Sequence, residues 1–294
     1  MPFVAELFEP ASDEEVRDAL LSHGPVAIRG LGTKDLFGCP VESDREISTL
    51  GIKGIVEWSP EDLVVVVRAG TPVTELQSEL ASKGQCIPLP SASDAATEFT
   101  AGKPGTVGGL VSANLPTRWD SVSRGVRYWV LGVRAVLADG RIARAGSKAV
   151  KNVAGYDSQK LFIGAWGTMG VLTEVIFRTF PIARFSGEPE CIERIGDWSP
   201  GRRPVIARVP RVSLAGASLR LNSGGVVDHS EGTLWTDYSK KLQSYVEKSG
   251  GWILCAGMGR SNFPIHGPQT DLMCALKQRI DPHRKINPGR LGVF

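Results

Sequence analysis

The sequence predicts an α+β fold in two parts, and three observations carry that expectation. Short β-branched runs alternate with stretches of helical character through the first 180 or so positions, the pattern of a compact α+β unit. Three glycine-rich stretches each sit at the edge of such a run: Arg29-Gly30-Leu31-Gly32-Thr33-Lys34, Gly105-Thr106-Val107-Gly108-Gly109 and Gly164-Ala165-Trp166-Gly167-Thr168-Met169-Gly170. Composition then shifts near residue 182, where Gly187 to Pro189 and Ser199 to Pro204 read as linkers or surface loops. The expected division is therefore residues 1–181 and residues 182–294, with no internal repeat.

The elements follow in order. Ser12-Asp13-Glu14-Glu15 has the spacing of a capping box and opens a helix ending near His23-Gly24. Val26-Ala27-Ile28 is a short strand entering the first glycine stretch. Ile55 to Trp58 and Leu63 to Arg68 predict two strands separated by Ser59-Pro60, with Val64 to Val67 buried. Thr71 is placed to cap a helix with Pro72 at its first position and Gly84 at its close. Residues 85–126 are rich in Gly, Pro, Ser and Thr and show little regular pattern, and a loop of that length inside a compact domain is usually functional. Trp129 to Leu137, turned by Asp139-Gly140 into Arg141 to Ala145, reads as a hairpin. Asp157 is placed to cap a short helix through Phe162, and Val171 to Phe177 is a strand ended by Pro181. Further on, Asp237 to Lys248 predicts a helix closed by Gly250-Gly251, Trp252 to Cys255 a strand, and Pro268 to Ile280 a helix stopped at Asp281-Pro282.

Composition narrows the function classes. A 42% hydrophobic fraction over 294 residues allows a sizeable core. The +3 balance of 34 basic and 31 acidic residues, without a dense Lys/Arg stripe, argues against a nucleic-acid partner. Cys39, Cys86, Cys191, Cys255 and Cys274 share no C-x-x-C spacing, so neither an iron–sulfur cluster nor structural zinc is readable and no metal is expected. Scattered reduced thiols fit a cytoplasmic protein. The first residues lack the pattern of a signal peptide, and no apolar run approaches the roughly 20 residues of a spanning helix.

Glycine lets a backbone turn sharply and approach a ligand closely. Successive free N–H groups in such bends make anion-binding concavities. Three of them predict a long ligand with a pyrophosphate, hence a dinucleotide. The familiar fingerprints fail, however. Gly30 and Gly32 begin a G-x-G-x-x-G pattern, but Asp35 occupies its last position. A Walker loop, a nucleophile elbow and H-E-x-x-H are absent. The ligand is not expected on a Rossmann helix end.

The order of these motifs resembles the FAD-binding domain of the vanillyl-alcohol oxidase and p-cresol methylhydroxylase family, in which the flavin lies extended between two α+β subdomains. The resemblance implies such a split of residues 1–181 near 70–85, with 182–294 as a short α+β, reduced cap-like part. Lys151-Asn152-Val153-Ala154-Gly155-Tyr156-Asp157, with Gly164-x-x-Gly167-Thr168-x-Gly170-Val171, narrows the resemblance to the FAD-binding (E) subunits of bacterial glycolate oxidases. Leu276-Lys277, Asp281-Pro282 and Asn287-Pro288-Gly289-Arg290-Leu291 are similar to the closing motif of those subunits.

The resemblance implies site residues. Backbone N–H groups of Gly30, Leu31, Gly32 and Thr33 would wrap the pyrophosphate, with the Thr33 hydroxyl as a further donor and Arg29 and Lys34 beside them. Thr106, Val107, Gly108 and Gly109, with Ser112, Ala113 and Asn114, would pass along the pyrophosphate and the flavin ring. Gly170 and Val171 would read the adenine half. Each stretch also has a plain structural reading, a surface turn for the first and a glycine bend in helix–sheet packing for the second. Lys151 and Tyr156 either frame the cofactor entrance or belong to a structural loop. Leu31 stands where relatives usually have a third glycine, Leu115 to Arg118 replaces a more glycine-rich stretch, and Arg127-Tyr128 replaces an Arg-Asp pair and receives no role. The position of a flavin-linking His falls on Thr33 or Lys34, and His23, His229, His266 and His283 lie outside the three stretches, so FAD is expected to be noncovalent.

The implied chemistry is oxidation of a small 2-hydroxy acid, glycolate or also D-lactate, to a 2-oxo acid. No catalytic base is assigned. Related dehydrogenases carry an H-x-G-D-G-N-x-H metal motif, and Cys255 to Asn262 occupies a comparable place without either histidine. The expected arrangement is a complex in which a sister FAD-containing subunit oxidises substrate, this chain holds a second FAD, and an iron–sulfur subunit carries electrons onward. It would be cytoplasmic, or peripheral at the inner membrane through its complex. The alternatives are a non-redox FAD-retaining assembly subunit, or another flavoprotein of the same fold. UDP-N-acetylenolpyruvoylglucosamine reductase would need an S-x-F-K-N-P-like stretch that is not found here. The medium FAD subunit of molybdenum hydroxylases is not expected to carry Lys151 to Asp157 in this form.

Overall fold

A computed structural model describes residues 6–22, 24–88, 105–148, 157–185, 189–197, 204–222, 224–256 and 268–292. The motif residues Lys151 to Tyr156, the 257–262 part of the C-terminal loop, and His23 and His266 lie outside the described residues.

The N-terminal part builds two sheets. β1 (Glu6–Phe8), β2 (Val26–Arg29) and β3 (Arg45–Ser48) form a small parallel sheet in the order β1-β3-β2. β4 (Ile55–Ser59), β5 (Val64–Arg68), β7 (Val130–Val136), β8 (Ile142–Gly146) and β9 (Val171–Arg178) form an antiparallel sheet in the order β4-β5-β9-β7-β8. The β7–β8 hairpin turns at Gly140, whose φ is +82°, as its Asp-Gly pair predicts. A two-residue ribbon joins β6 (Gln85–Cys86) to β10 (Phe180–Pro181).

Helix α1 (Asp13–Ser22) starts as the capping box predicts. Ser12 Oγ accepts from Glu15 N at 3.1 Å, and the Glu15 carboxylate accepts from Ala11 N at 2.9 Å. Val16, Ala19 and Leu20 close a core with Val26, Ile47, Val136, Val171 and Ile286, so α1 packs between the two sheets. At its first turn, buried Asp13 pairs with Arg134 and, at 3.6 Å, with Arg68. Glu174, the cross-strand partner of both arginines, completes the network.

Several expectations need correction. Thr71 does not cap α2 (Val73–Ala81): its hydroxyl donates to Arg68 O at 2.7 Å, and the helix begins after Pro72 without a side-chain cap. The described residues among 85–126 are more regular than their composition suggests. They contain β6, α3 (Val107–Ala113), α4 (Asp120–Ser123) and the start of α5 (Val126–Trp129). Asp157 makes no cap hydrogen bond; it pairs instead with Lys160 at 2.5 Å beside a single 3-10 turn, Ser158–Leu161. Pro181 does not end the chain's pairing but sits opposite Gln85.

The C-terminal part holds a second antiparallel sheet in the order β11-β13-β14-β12-β15: β11 (Ile192–Ile195), β12 (Pro204–Arg208), β13 (Gly225–Asp228), β14 (Thr233–Asp237) and β15 (Trp252–Cys255). Only β15 was predicted. Asp237 ends a strand, and helix α7 (Lys240–Lys248) begins at Ser239, whose Oγ accepts from Leu242 N at 3.1 Å. The sheet is buried on both faces with period two. Ile206, Val226, Trp235 and Leu254 join the main core, while Val205, Ala207, Val227, Leu234 and Ile253 pack under α6 (Leu214–Ser218) and α7.

The chain closes on α8 (Pro268–Ile280) and a latch behind it. Lys277 Nζ donates to Thr168 O at 2.6 Å, Asp281 Oδ2 at 2.6 Å and Ile286 O at 2.9 Å. Asp281 also accepts from Lys285 N and Ile286 N, each at 2.8 Å. Residues 285–287 then run beside β2, with Val26 N bonded to Lys285 O at 2.8 Å and Asn287 N to Val26 O at 2.9 Å. Breaking a buried pair from one side leaves an uncompensated charge. Lys277→Met is therefore expected to lower stability by about 3–5 kcal/mol, read as a lower urea midpoint at unchanged slope. Adding Asp281→Asn is expected to recover part of the loss.

Candidate cofactor site

Strand β2 delivers the chain to the first glycine stretch. Gly32 takes a φ of +68°, and Asp35 N and Phe37 N close the following turns on Gly32 O and Lys34 O, each at 3.1 Å. The backbone N–H groups of Leu31, Gly32 and Thr33 donate to no other described residue. Phe37 is fully buried, with its ring 6.1 Å from that of Trp166, which anchors the first stretch to the third.

The second stretch is a helix start rather than an open loop. Thr106 caps α3 by accepting from Gly109 N at 3.2 Å, Val107 N donates to Thr71 O at 2.9 Å, and Gly108 N donates to Ala69 O at 2.7 Å. The amides of Val107, Gly108 and Gly109 are thus already engaged, whereas those of Leu31, Gly32 and Thr33 in the first stretch are not, among the described residues. What the second supplies is space. A Cβ on Gly30 would collide with Thr106 Oγ1, and one on Gly105, at φ +87°, would lie 2.5 Å from Thr33 Oγ1. The two stretches therefore pack backbone against side chain with no room for a methyl group.

The three stretches converge on one cavity of about 260 Å³. Of the fifteen residues singled out from sequence, twelve line it: Arg29 to Lys34, Thr106, Gly108, Gly109, Ser112, Ala113 and Gly170. Three do not. Val107 points into the core from the first turn of α3, and Val171 joins the core beneath α1. Asn114 ends α3 in the left-handed region, at φ 48°.

The cavity also takes residues that the sequence reading assigned no role. Trp166 and Gly167 come from the third stretch, Glu46 and Thr49 from the β3 end, and Asn287 and Arg290 from the closing segment. Asn287 Oδ1 accepts from Ile28 N at 2.8 Å, and its Nδ2 donates to Trp166 O at 3.1 Å. Arg290 donates to Cys39 O at 3.2 Å and Lys34 O at 3.0 Å and lies 5.9 Å from the Trp166 ring. The signal for these two was the closing motif itself, whose side chains reach the cavity only because the latch brings residues 285–287 against β2.

The charges in the cavity are unequal in kind. Arg29 is held by Asp35 and, at 3.5 Å, by Glu46. Lys34, which donates to Thr33 Oγ1 at 3.1 Å, is pushed down to about 8 by burial. Burial also lowers the pKa of Arg290. Lys34 and Arg290 thus supply cationic charge in a partly desolvated place, next to the free amides of the first stretch. A diphosphate bridge fits that donor set. The cavity is slightly below the ~300–1,000 Å³ of whole-ligand pockets, so it suits one segment of a dinucleotide. The lining residues include neither His nor Cys. Burial pushes Asp120 up to about 7, but this carboxyl does not line the cavity and is bonded to the Thr117 hydroxyl at 2.8 Å. Among the described residues, no group of three or more His, Cys, Asp or Glu could hold a metal, and no helix is long and apolar enough to cross a membrane.

Comparison with known proteins agrees with this geometry. Residues 4–146 match the family model described as an FAD binding domain. The glycolate oxidase subunit GlcE of Escherichia coli is 32% identical over 199 residues, 65% of this chain and 55% of that protein. The glycolate oxidase subunit GlcD of Bacillus subtilis is 34% identical over 53% of this chain and 32% of its own length, and a D-lactate dehydrogenase of Archaeoglobus fulgidus is 32% identical over 62% and 41%. The matched part thus spans about half or less of these relatives. In fold, the chain resembles an alkyldihydroxyacetonephosphate synthase, with a TM-score of 0.60 and 12% identity over 96% of this chain and 76% of that one. The glycine stretches and their shared cavity agree with the FAD binding domain that residues 4–146 match, and with FAD as the cofactor.

Proposed function

We propose that this chain is the FAD-binding subunit of a glycolate (2-hydroxy acid) oxidase or dehydrogenase complex, holding noncovalent FAD and passing on electrons from substrate oxidation. The observation that carries this reading is the convergence of the three glycine stretches on one cationic cavity, in a chain similar to two subunits named for glycolate oxidase. Its partners would be a sister FAD-containing subunit and an iron–sulfur subunit. Glycolate is the first substrate, and the similarity to a D-lactate dehydrogenase makes D-lactate the second to test. The complex would act on the cytoplasmic side.

Each residue then has a task. The amides of Leu31, Gly32 and Thr33, with the Lys34 ammonium and the Arg290 guanidinium, would hold the diphosphate bridge. Gly108, Gly109, Ser112 and Ala113 would leave room for the ligand along α3. Gly170, Gly167 and Trp166 would border it on the opposite side. When bound, the flavin supplies hydride-accepting and electron-releasing chemistry. The lining carboxylates, Asp35 and Glu46, are tied to Arg29. This supports a relay role here, with proton abstraction from substrate assigned to the sister subunit.

Three outcomes test this reading. The purified chain is expected to be yellow, and its visible band to bleach with glycolate only when the partner subunits are present. Bleaching of the isolated chain would move catalysis into it, and an unbleached complex would leave an assembly role. Gly30→Ala is expected to cut the FAD-to-protein absorbance ratio severely, because the added methyl meets Thr106. Lys34 is charged below its pKa of about 8 and neutral above it. A bound diphosphate favours the charged form, so FAD affinity should be greatest at neutral pH and fall as pH rises through that value. The fall should be about tenfold, the worth of one charge-assisted hydrogen bond of roughly 1.5 kcal/mol. Lys34→Met is expected to bind FAD weakly at all these pH values, with the step gone in fluorescence titrations.

A further inference from the structure

The outer face of the C-terminal sheet's helical layer carries a second cationic feature, far in character from the cofactor cavity. Helices α6 and α7 bury Leu214, Ala217, Leu242 and Val246 against the sheet. Their outward sides enclose a shallow hollow of about 550 Å³ lined by Arg220, Lys240, Lys241, Ser244, Tyr245 and Lys248. The hollow is built rather than accidental. The Arg220 guanidinium lies 4.1 Å from the Tyr245 ring centre and donates to Gly216 O, and the Tyr245 hydroxyl donates to Ser213 O at 3.1 Å. None of the three lysines is ion-paired with another described residue. The one carboxylate of α7, Glu247, accepts from Gln243 at 2.7 Å and does not line the hollow.

Apolar side chains stand beside these cations. Val212 is 95% exposed and Leu219 87% exposed, at the two ends of the segment that borders the hollow, with exposed Ala215 between them. The spacing i, i+3, i+7 puts the three along one side of that segment. Exposed aliphatic groups near lysines without an ion-pair partner match a partner that is anionic and apolar at once.

We infer that this face docks on an anionic phospholipid surface, with Lys240, Lys241, Lys248 and Arg220 at the headgroup phosphates and Val212 and Leu219 dipping below them. A protein partner is the weaker match. Interfaces between proteins are depleted in lysine and anchored by aromatic residues, and they bury roughly 800 Å² on each side. Here lysine dominates and the apolar stripe is three small side chains wide. Long lysine stems can also lie along the acyl boundary with their heads in the phosphate layer.

The test is sedimentation of the full FAD-loaded chain with vesicles of phosphatidylcholine, with and without phosphatidylglycerol. Binding is expected only to the vesicles that contain phosphatidylglycerol, and is expected to weaken as salt rises. The triple variant Lys240→Gln, Lys241→Gln, Lys248→Gln should bind about a hundredfold more weakly, at about fivefold per cation. Val212→Ser with Leu219→Ser should cost about tenfold in partition with FAD content and circular dichroism unchanged. Inorganic phosphate, at matched ionic strength, should not displace the chain. The proposal fails if neutral vesicles bind equally, if anionic vesicles do not bind, or if neither variant changes the partition. Displacement by phosphate would make the hollow a soluble-anion site. Loss of a co-purifying acidic protein in the triple variant, without any vesicle binding, would make it a protein interface; either result also overturns the proposal. The readout involves no flavin chemistry, so its failure leaves the proposed function untouched.

Discussion

The ammonium of Lys277 has three hydrogens and gives each to a different part of the molecule: the third glycine stretch at Thr168, the end of its own helix at Asp281, and the closing segment at Ile286. Burying such a charge is costly unless every donor is used and a counter-charge stands beside it. Both conditions hold, and Asp281 accepts from two backbone amides as well. The candidate cofactor cavity depends on this arrangement. Once Ile286 is fixed, residues 285–287 lie along β2, Asn287 spans from Ile28 to Trp166, and Arg290 reaches the carbonyl of Lys34. The charge buried at Lys277 thus positions side chains around loops that lie far earlier in the sequence.

Within the cavity, glycine does two separate jobs. In the first stretch it allows a tight turn whose amides remain free. In the second it removes side-chain volume, so that Gly105 can lie against Thr33 and Gly108 against Ala69 while the amides of Val107, Gly108 and Gly109 are spent on Thr71, Ala69 and Thr106. The electrostatics match this division. Arg29 is neutralised by carboxylates, whereas Lys34 and Arg290 remain cationic under desolvation, which is where a dianionic bridge gains most from them.

The C-terminal sheet extends the same core rather than standing apart in packing. Its alternating residues divide between the main core on one face and the α6–α7 layer on the other. The main core is therefore backed by this layer. The outermost surface of that layer is the one free to present lysines and aliphatic side chains.

How much of this was legible in sequence follows from the range of the interactions involved. The capping box of α1, the Asp-Gly hairpin, the valine run of β5 and the strand feeding from the third glycine stretch are local patterns, and each was readable. Twelve residues that line the cavity were legible too, but through the family resemblance that the glycine stretches carry rather than from the glycines alone. The strands β11 to β14 were not legible. They are short, and β12 to β14, buried on both faces, lose the apolar–polar alternation that marks a half-exposed strand. Helix α3 was hidden because glycines fill its first turn, and its start is decided by Thr71 and Ala69, over thirty positions earlier. Sequence alone determined the fold class and, through the family resemblance, FAD as the cofactor. Which amides stay free, which cations keep their charge and how the closing motif reaches the cavity were decided only in three dimensions, because each rests on hydrogen bonds between residues far apart in the chain.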